Sequence, residues 1–267
     1  MKGLADIYAT LFRTEAAVQL QYRAALIIWL IGLVVQPVVY LVVWLTVAKA
    51  QGGHVGAFAS GDLAAYYIAL MVVNHLTFTW VMFEFEYRVR SGSFSPLLLQ
   101  PLHPIHTDIT VNLAYKVLTS AVTLPAAAVL AWLFEPEFHL HSWSLVALIP
   151  ALLLAFALRF LVEWCLALSA FWTTRVGALN QFYFAALLFL SGRMAPLELM
   201  PPWVQTLAAL MPFRWMMAFP VELAMGRLSG EQVLQGLAAQ SAWVGGSLGL
   251  LALVWRRGLK QYGAVGS

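Results

Sequence analysis

Apolar residues run through this chain in long blocks separated by short polar gaps, without the strict alternation of a half-buried strand. Six blocks stand out: Ala24 to Ala48, Leu63 to Phe83, Val111 to Phe134, Trp143 to Trp172, Val176 to Gly192 and Val233 to Trp255. A helix rises about 1.5 Å per residue, so roughly 20 apolar residues cross the hydrocarbon layer. Each block is therefore read as a membrane-crossing helix. The fifth is the shortest and carries Asn180 and Gln181, so its ends are the least defined. Pro37, Pro125 and Pro150 lie inside blocks and are expected to kink them.

The gaps have patterns of their own. Leu4, Ile7, Tyr8, Leu11 and Phe12 recur at helical spacing opposite Asp6, Thr10 and Arg13, which predicts an amphipathic helix in the membrane interface. Between the second and third blocks, Glu84, Glu86, Arg88 and Arg90 lead to a hinge at Gly92. A short apolar turn closed by Pro101 and Pro104 follows. A compact helix there, exposing Phe94, Leu97 and Leu98, suits docking on a soluble partner, or else packs on the membrane surface. From Arg193 to Gln232 the chain is too apolar for a solvated loop, and Pro196, Pro201, Pro202 and Pro212 interrupt it too often for a crossing. Short helices dipping into the outer leaflet satisfy both constraints, with Trp203 and Leu207 among their apolar positions. Ser229 with Gln232 forms a capping box that starts the last helix.

The expected architecture is an all-α integral membrane protein of six transmembrane helices. It has an N-terminal interfacial helix, a cytoplasmic helix between spans 2 and 3, and short re-entrant outer helices between spans 5 and 6. One domain covers residues 1–267: an interfacial segment over 1–23, the bundle over 24–255 and a tail over 256–267. Composition agrees, with 62% apolar and only 10% charged residues and a mean hydropathy of +0.80, more apolar surface than one soluble core hides. The first block is too long for a signal peptide and follows a charged segment.

Basic residues orient the bundle. With the N-terminus in the cytoplasm, Lys2, Arg13, Arg23, Arg88, Arg90, Lys116, Arg175, Arg256, Arg257 and Lys260 fall inside. Lys49, Arg193, Arg214 and Arg227 fall outside, and Arg159 lies within a span. This bias places both termini in the cytoplasm. The net charge of +3 follows from the same bias and does not indicate nucleic-acid binding.

Candidate chemistry is sparse. Arg159 and Glu163 stand one turn apart in the fourth block and can pair on one face. Ionisable groups inside a membrane point to function, although a static clamp between helices serves equally well here. Ser241, Gly245 and Gly249 give the last block a small-residue face, for contact with a second subunit or for packing within this one. His139 and His141 with Glu135 and Glu137 sit on an outer loop, where solvated side chains are a simpler reading than a metal site. No catalytic triad, zinc-protease motif or phosphate-cradling loop occurs, so the chain is not expected to be an enzyme or to hydrolyse nucleotide.

In three stretches the sequence resembles permease subunits of ABC-2 type exporters, in the branch that includes daunorubicin- and viologen-export permeases. They are Arg90-Ser91-Gly92-Ser93-Phe94-Ser95-Pro96-Leu97-Leu98-Leu99-Gln100-Pro101-Leu102, then Leu190-Ser191-Gly192-Arg193-Met194-Ala195-Pro196-Leu197 through Pro201, Trp203, Pro212, Phe213, Arg214 and Trp215 to Glu222, and last Trp255-Arg256-Arg257-Gly258-Leu259-Lys260-Gln261-Tyr262. The resemblance implies a permease in the bacterial inner membrane, paired with a second permease, identical or paralogous, and with two cytoplasmic ATPases that bind ATP and Mg. No cofactor is expected on this chain itself. It also implies that Gly92 to Gln100 is a coupling helix, with Glu84, Arg88 and Arg90 beside the ATPase. Gly192, Arg193, Pro196, Pro201, Trp203, Pro212 and Arg214 would then belong to an outer lid. An ion-coupled secondary transporter or a channel is the main rival, and a purely structural membrane protein is a third reading. Against the first rival, Glu163 is the only acidic residue placed within a span.

Overall fold

The Gly3 N–H donates to the Asp6 carboxylate at 3.3 Å and helix α1 (Leu4–Gln21) begins there. The computed structural model describes residues 3–173 and 176–262; Lys2, Arg175 and the tail beyond residue 262 lie outside the described residues. Ile7, Tyr8, Leu11 and Phe12 are half-buried on α1 while Asp6, Thr10 and Arg13 are exposed, the two-faced pattern its sequence predicts; Leu4 alone stays exposed. The helix lies along α6 (Pro104–Phe134), where Tyr8 Oη and His106 Nδ1 are 2.7 Å apart and Gln19 Nε2 donates to the Val111 carbonyl at 3.2 Å.

Helix α2 (Arg23–Ala50) runs through Pro37 and ends at a small antiparallel hairpin, β1 (His54–Val55) with β2 (Phe58–Ala59), which pairs His54 with Ala59 and Val55 with Phe58. The hairpin adds four strand residues to an otherwise all-helical expectation. The second predicted span is not one helix. It forms α3 (Ser60–Thr77) and α4 (Val81–Arg90), interrupted at Phe78, Thr79 and Trp80. The one-turn helix α5 (Ser95–Leu98) follows. The third span, α6, starts at Pro104 rather than Val111, because His103 caps it by accepting the Ile105 N–H at 3.2 Å and Pro104 stands in its first turn. That earlier start carries Asp108 into the helix.

Helix α7 (Ser142–Ala167) passes through Pro150 and tightens into a 3₁₀ turn at Leu168–Phe171. Helix α8 (Gly177–Leu190) has 14 residues and so reaches only about 21 Å. The outer segment is cut by its prolines into a 3₁₀ turn (Leu197–Leu199) and the short helices α9 (Pro202–Leu210), α10 (Pro212–Met216) and α11 (Ala218–Ala224). Helix α12 (Gly230–Gln261) starts at the predicted capping box: Gln232 N donates to Ser229 Oγ at 3.3 Å and Ser229 N to Gln232 Oε1 at 2.8 Å.

Among the described residues, five helical stretches are long and apolar enough to cross a membrane: Ile27–Ala50, Ser60–Arg90, Pro104–Phe134, Ser142–Phe171 and Gly230–Gln261. The protein is an all-α membrane protein in its crossing elements. Helix α3 is the hub, buried on nearly every side by α2, α6, α7 and α11. The opposite faces of α2, α6, α7 and α12 expose Ile28, Val117, Val146, Ile149 and Leu234, among others. Such outward apolar faces suit lipid rather than water.

Candidate functional site

Three polar layers are strung along the bundle, one at each end and one at the break in the second span. At the break, helix α3 ends with carbonyls that have no next turn to bond. One basic side chain answers a carbonyl and another binds side-chain oxygens of the last turns. Lys116 Nζ, from α6, donates to the Phe78 carbonyl at 2.5 Å. Arg159, from α7, donates through Nη1 to Asn74 Oδ1 at 3.0 Å and to Thr77 Oγ1 at 3.4 Å. Cations at a helix C-terminus meet the partial negative charge of its dipole.

The acid of this layer ties the break itself to α7 and α8. Glu163 accepts Arg159 Nε at 3.1 Å, Tyr183 Oη at 3.1 Å and, at very short range, the hydroxyl of Thr79 within the break. Arg159 and Glu163 are 0% and 1% exposed, so the predicted i, i+4 pair exists and is sealed. Its fourfold bonding to α3, α8 and the break makes it a junction between three elements rather than a pair on one helix. Sequence reasoning missed Lys116, Asn74 and Thr79 here, because their positions follow from the break.

At the end predicted to be cytoplasmic, Arg88 bonds Glu84 at 3.1 Å and Asp108 at 2.6 Å, and Asp108 also accepts Trp164 Nε1 at 2.9 Å. Arg90 is exposed beside Glu86 at 3.7 Å. Gly92 has φ +73°, the left-handed turn expected of a hinge. The expectation that Phe94 is displayed is wrong. It is 0% exposed, stacked among Phe85, Phe171, Trp255 and Tyr262 with ring centroids 4.8 to 6.3 Å away, because the α5 turn folds its aromatic residue inward onto the α7 and α12 ends. Leu97 and Leu98 are half-buried, and the displayed side chain is Leu99, 88% exposed. Likewise Arg88 faces Asp108, not solvent.

At the other end, Gly192 adopts φ +82° and its carbonyl accepts Tyr66 Oη at 2.7 Å; a Cβ there would collide with that hydroxyl. Met194 O accepts both Tyr67 Oη at 2.9 Å and Trp44 Nε1 at 3.0 Å. Pro196 and Pro212 are buried, whereas Pro201 and Trp203 are exposed. Arg214 pairs with Glu222 at 2.9 Å, and burial raises the Glu222 carboxyl to about 7 against the opposing pull of Arg214. Ser241, Gly245 and Gly249 are exposed, and nothing lies within 4 Å of where a Cβ at either glycine would stand. Among the described residues, nothing packs against that face at its two glycines.

A cavity of about 800 Å³ joins these layers. Glu15, Glu84 and Arg88 line it toward one end, and Gln36, Asn74 and Arg193 toward the other; Trp29, Phe78, Trp80, Tyr115 and Phe184 form an aromatic wall between. Trp29 and Trp80 lie 5.6 Å apart and Phe78 and Tyr115 6.3 Å apart. Burial raises the Glu15 carboxyl above its usual range and brings the Arg193 guanidinium down to about 10. The described residues bring together no group of His, Cys, Asp and Glu able to hold a metal.

Among curated proteins and among solved structures, a search finds no match to this chain. A family model does match, over residues 21–266, nearly all of the bundle just described. Its description is that of the ABC-2 family transporter proteins, and this chain belongs to that family: it is a membrane permease of the ABC transporter type.

Proposed function

We propose that the chain is the membrane subunit of an ATP-driven exporter, coupled to two separate cytoplasmic ATPases and paired with a second permease, identical or paralogous. The reading places it in the bacterial inner membrane with six crossings, α8 being the fifth, and with both termini in the cytoplasm. ATP and Mg belong to the partner. The branch exporting daunorubicin- or viologen-like compounds is part of the same reading.

One observation carries the coupling: the ledge from Glu84 to Gln100 is fused to the bundle by Phe94 and Arg88 while Leu99 projects from it. An ATPase that grips Leu99 and its exposed neighbours Pro96 and Gln100 moves the ends of α4, α6, α7 and α12 together. ATP supplies work through its differential affinity for two states of the ATPase pair. The test is Leu99→Asp in the purified complex. Loss of ATPase co-purification with the permease still folded is expected, and undiminished assembly and hydrolysis overturn the docking surface.

The broken second span with buried Glu163 favours a second reading, an ion-coupled carrier or channel. It predicts solute movement by this chain alone in liposomes under an ion gradient, whereas the exporter reading predicts none.

A further inference from the structure

Among the described residues, Arg193 is the one arginine that is not exposed and yet holds no carboxylate. Arg88, Arg90, Arg159, Arg214 and Arg227 each hold a carboxylate, whereas Arg193, among the described residues, meets only the side-chain oxygen of Gln36. A guanidinium carries five N–H donors in a planar fork suited to carboxylate or phosphate. Here Arg193 lines the cavity together with Gln36 and Asn74. The surroundings deepen the imbalance. Lys116 and Arg159 supply two more basic groups at the neighbouring break, against the single acid Glu163.

The cavity's other end has the opposite balance. Among the described residues Glu15 has no basic partner within salt-bridge range, and the charge of Arg88 is already taken by Glu84 and Asp108. An acidic head group is therefore repelled at that end and attracted at Arg193, while the aromatic wall between offers cover for an apolar body.

We infer that the cavity binds an amphipathic anion, its phosphate or carboxylate head group on the Arg193 guanidinium and its apolar body along Trp29, Leu33, Phe78 and Phe184. This rests on the exporter reading alone and replaces the branch part of it: daunorubicin- and viologen-like compounds are cations, and the cavity's charge names an anionic substrate class instead. The graded charge of the walls then favours passage of the head group from the Glu15 end toward Arg193.

The test uses the complex of full-length chain and ATPase in phosphatidylcholine nanodiscs, with dodecyl phosphate as probe, read by calorimetry above its partition into empty nanodiscs. Dodecyl phosphate is expected to bind, and inorganic phosphate and dodecyltrimethylammonium to bind at least about tenfold more weakly, as loss of either the apolar body or the charge-assisted bonds requires. Arg193→Gln is expected to weaken the probe by about 10- to 100-fold. Gln36→Glu keeps Arg193 and the fold but supplies an internal carboxylate, and it is expected to weaken the probe to a similar degree. Unchanged binding in either variant, or inorganic phosphate binding as well as the alkyl ester, overturns the inference. ATP hydrolysis by the same preparations separates the two readings: chain-dependent hydrolysis without probe binding removes only the substrate class, and absent hydrolysis strikes the exporter itself.

Discussion

The ammonium of Lys116 sits 2.5 Å from the carbonyl oxygen of Phe78, the carbonyl that the break in the second span leaves without a helical partner. Lys116 is buried, and its ammonium also stands 4.4 Å over the Phe156 ring. Lys116→Met keeps most of the apolar stem and removes the donor, so the buried carbonyl is left unsatisfied. Stability is expected to fall by about 1–3 kcal/mol, read as a lower thermal midpoint in nanodiscs, with Lys116→Arg recovering part of it.

Removing one member of the Arg159–Glu163 pair strands a charge that is sealed from water. Glu163→Gln is expected to cost about 3–5 kcal/mol, and the double change to Met at both positions less than the sum of the two single changes. A charge swap, Arg159→Glu with Glu163→Arg, keeps the i, i+4 geometry but turns the donors Thr79 and Tyr183 toward a guanidinium. It is expected to stay unstable. Full stability and transport in the swap would mean that two opposite charges suffice and that the junction with the break contributes nothing.

Phe94 and Leu99 stand five residues apart with opposite duties. Phe94→Ala opens the aromatic cluster and is expected to lower stability by about 3–5 kcal/mol. Leu99→Ala touches nothing in the subunit and is expected to change stability by less than about 0.5 kcal/mol while weakening ATPase assembly. Chemical unfolding and co-purification, run on both variants, check the division.

The buried Glu222 carboxyl makes stability depend on pH. Its ordinary value is 4.5 and its folded value is about 7, so between these the folded state binds more proton than the unfolded one. Stability therefore falls as pH rises from 4.5 through 7, and below 4.5 the group contributes no slope. The fall is on the order of 3 kcal/mol. Glu222→Gln is expected to flatten that part of the profile; an equal slope in the variant would assign it to another group.

Much of this was legible because apolar run length and the solvent are directly linked. The five long helical stretches lie where the blocks predict them, α1 shows the two faces its spacing predicts, and the cap at Ser229 follows from a local rule. The small-residue face of α12 is legible only as a pattern, since no described residue packs against its two glycines. What escaped depends on contacts remote in sequence. Nothing in Phe78-Thr79-Trp80 resembles a helix breaker: no proline or glycine stands there, and the interruption is held by Lys116, Arg159 and Glu163 from other helices. The aromatic Phe94 was read as displayed because its own stretch is short and hinged, whereas its pocket is built by Phe171, Trp255 and Tyr262. The sequence places Arg193 outside and in the outer lid; its missing counter-charge shows only once Arg88, Arg159, Arg214 and Arg227, the other arginines that are not exposed, are seen to hold theirs.

Gly258, near the end of α12, lies so close to Phe171 that a Cβ would strike the ring, and Tyr262 one turn later meets Ser95 Oγ at 2.9 Å. The final helix is thereby latched to the ledge as a bolt is to its plate. A push delivered beneath the bundle cannot tilt α5 alone; it must drag the carboxyl-terminal helix with it, and the exposed Gly245 and Gly249 face would travel along. On the proposed coupling to an ATPase, any neighbour seated on that face would register the stroke without touching that ATPase.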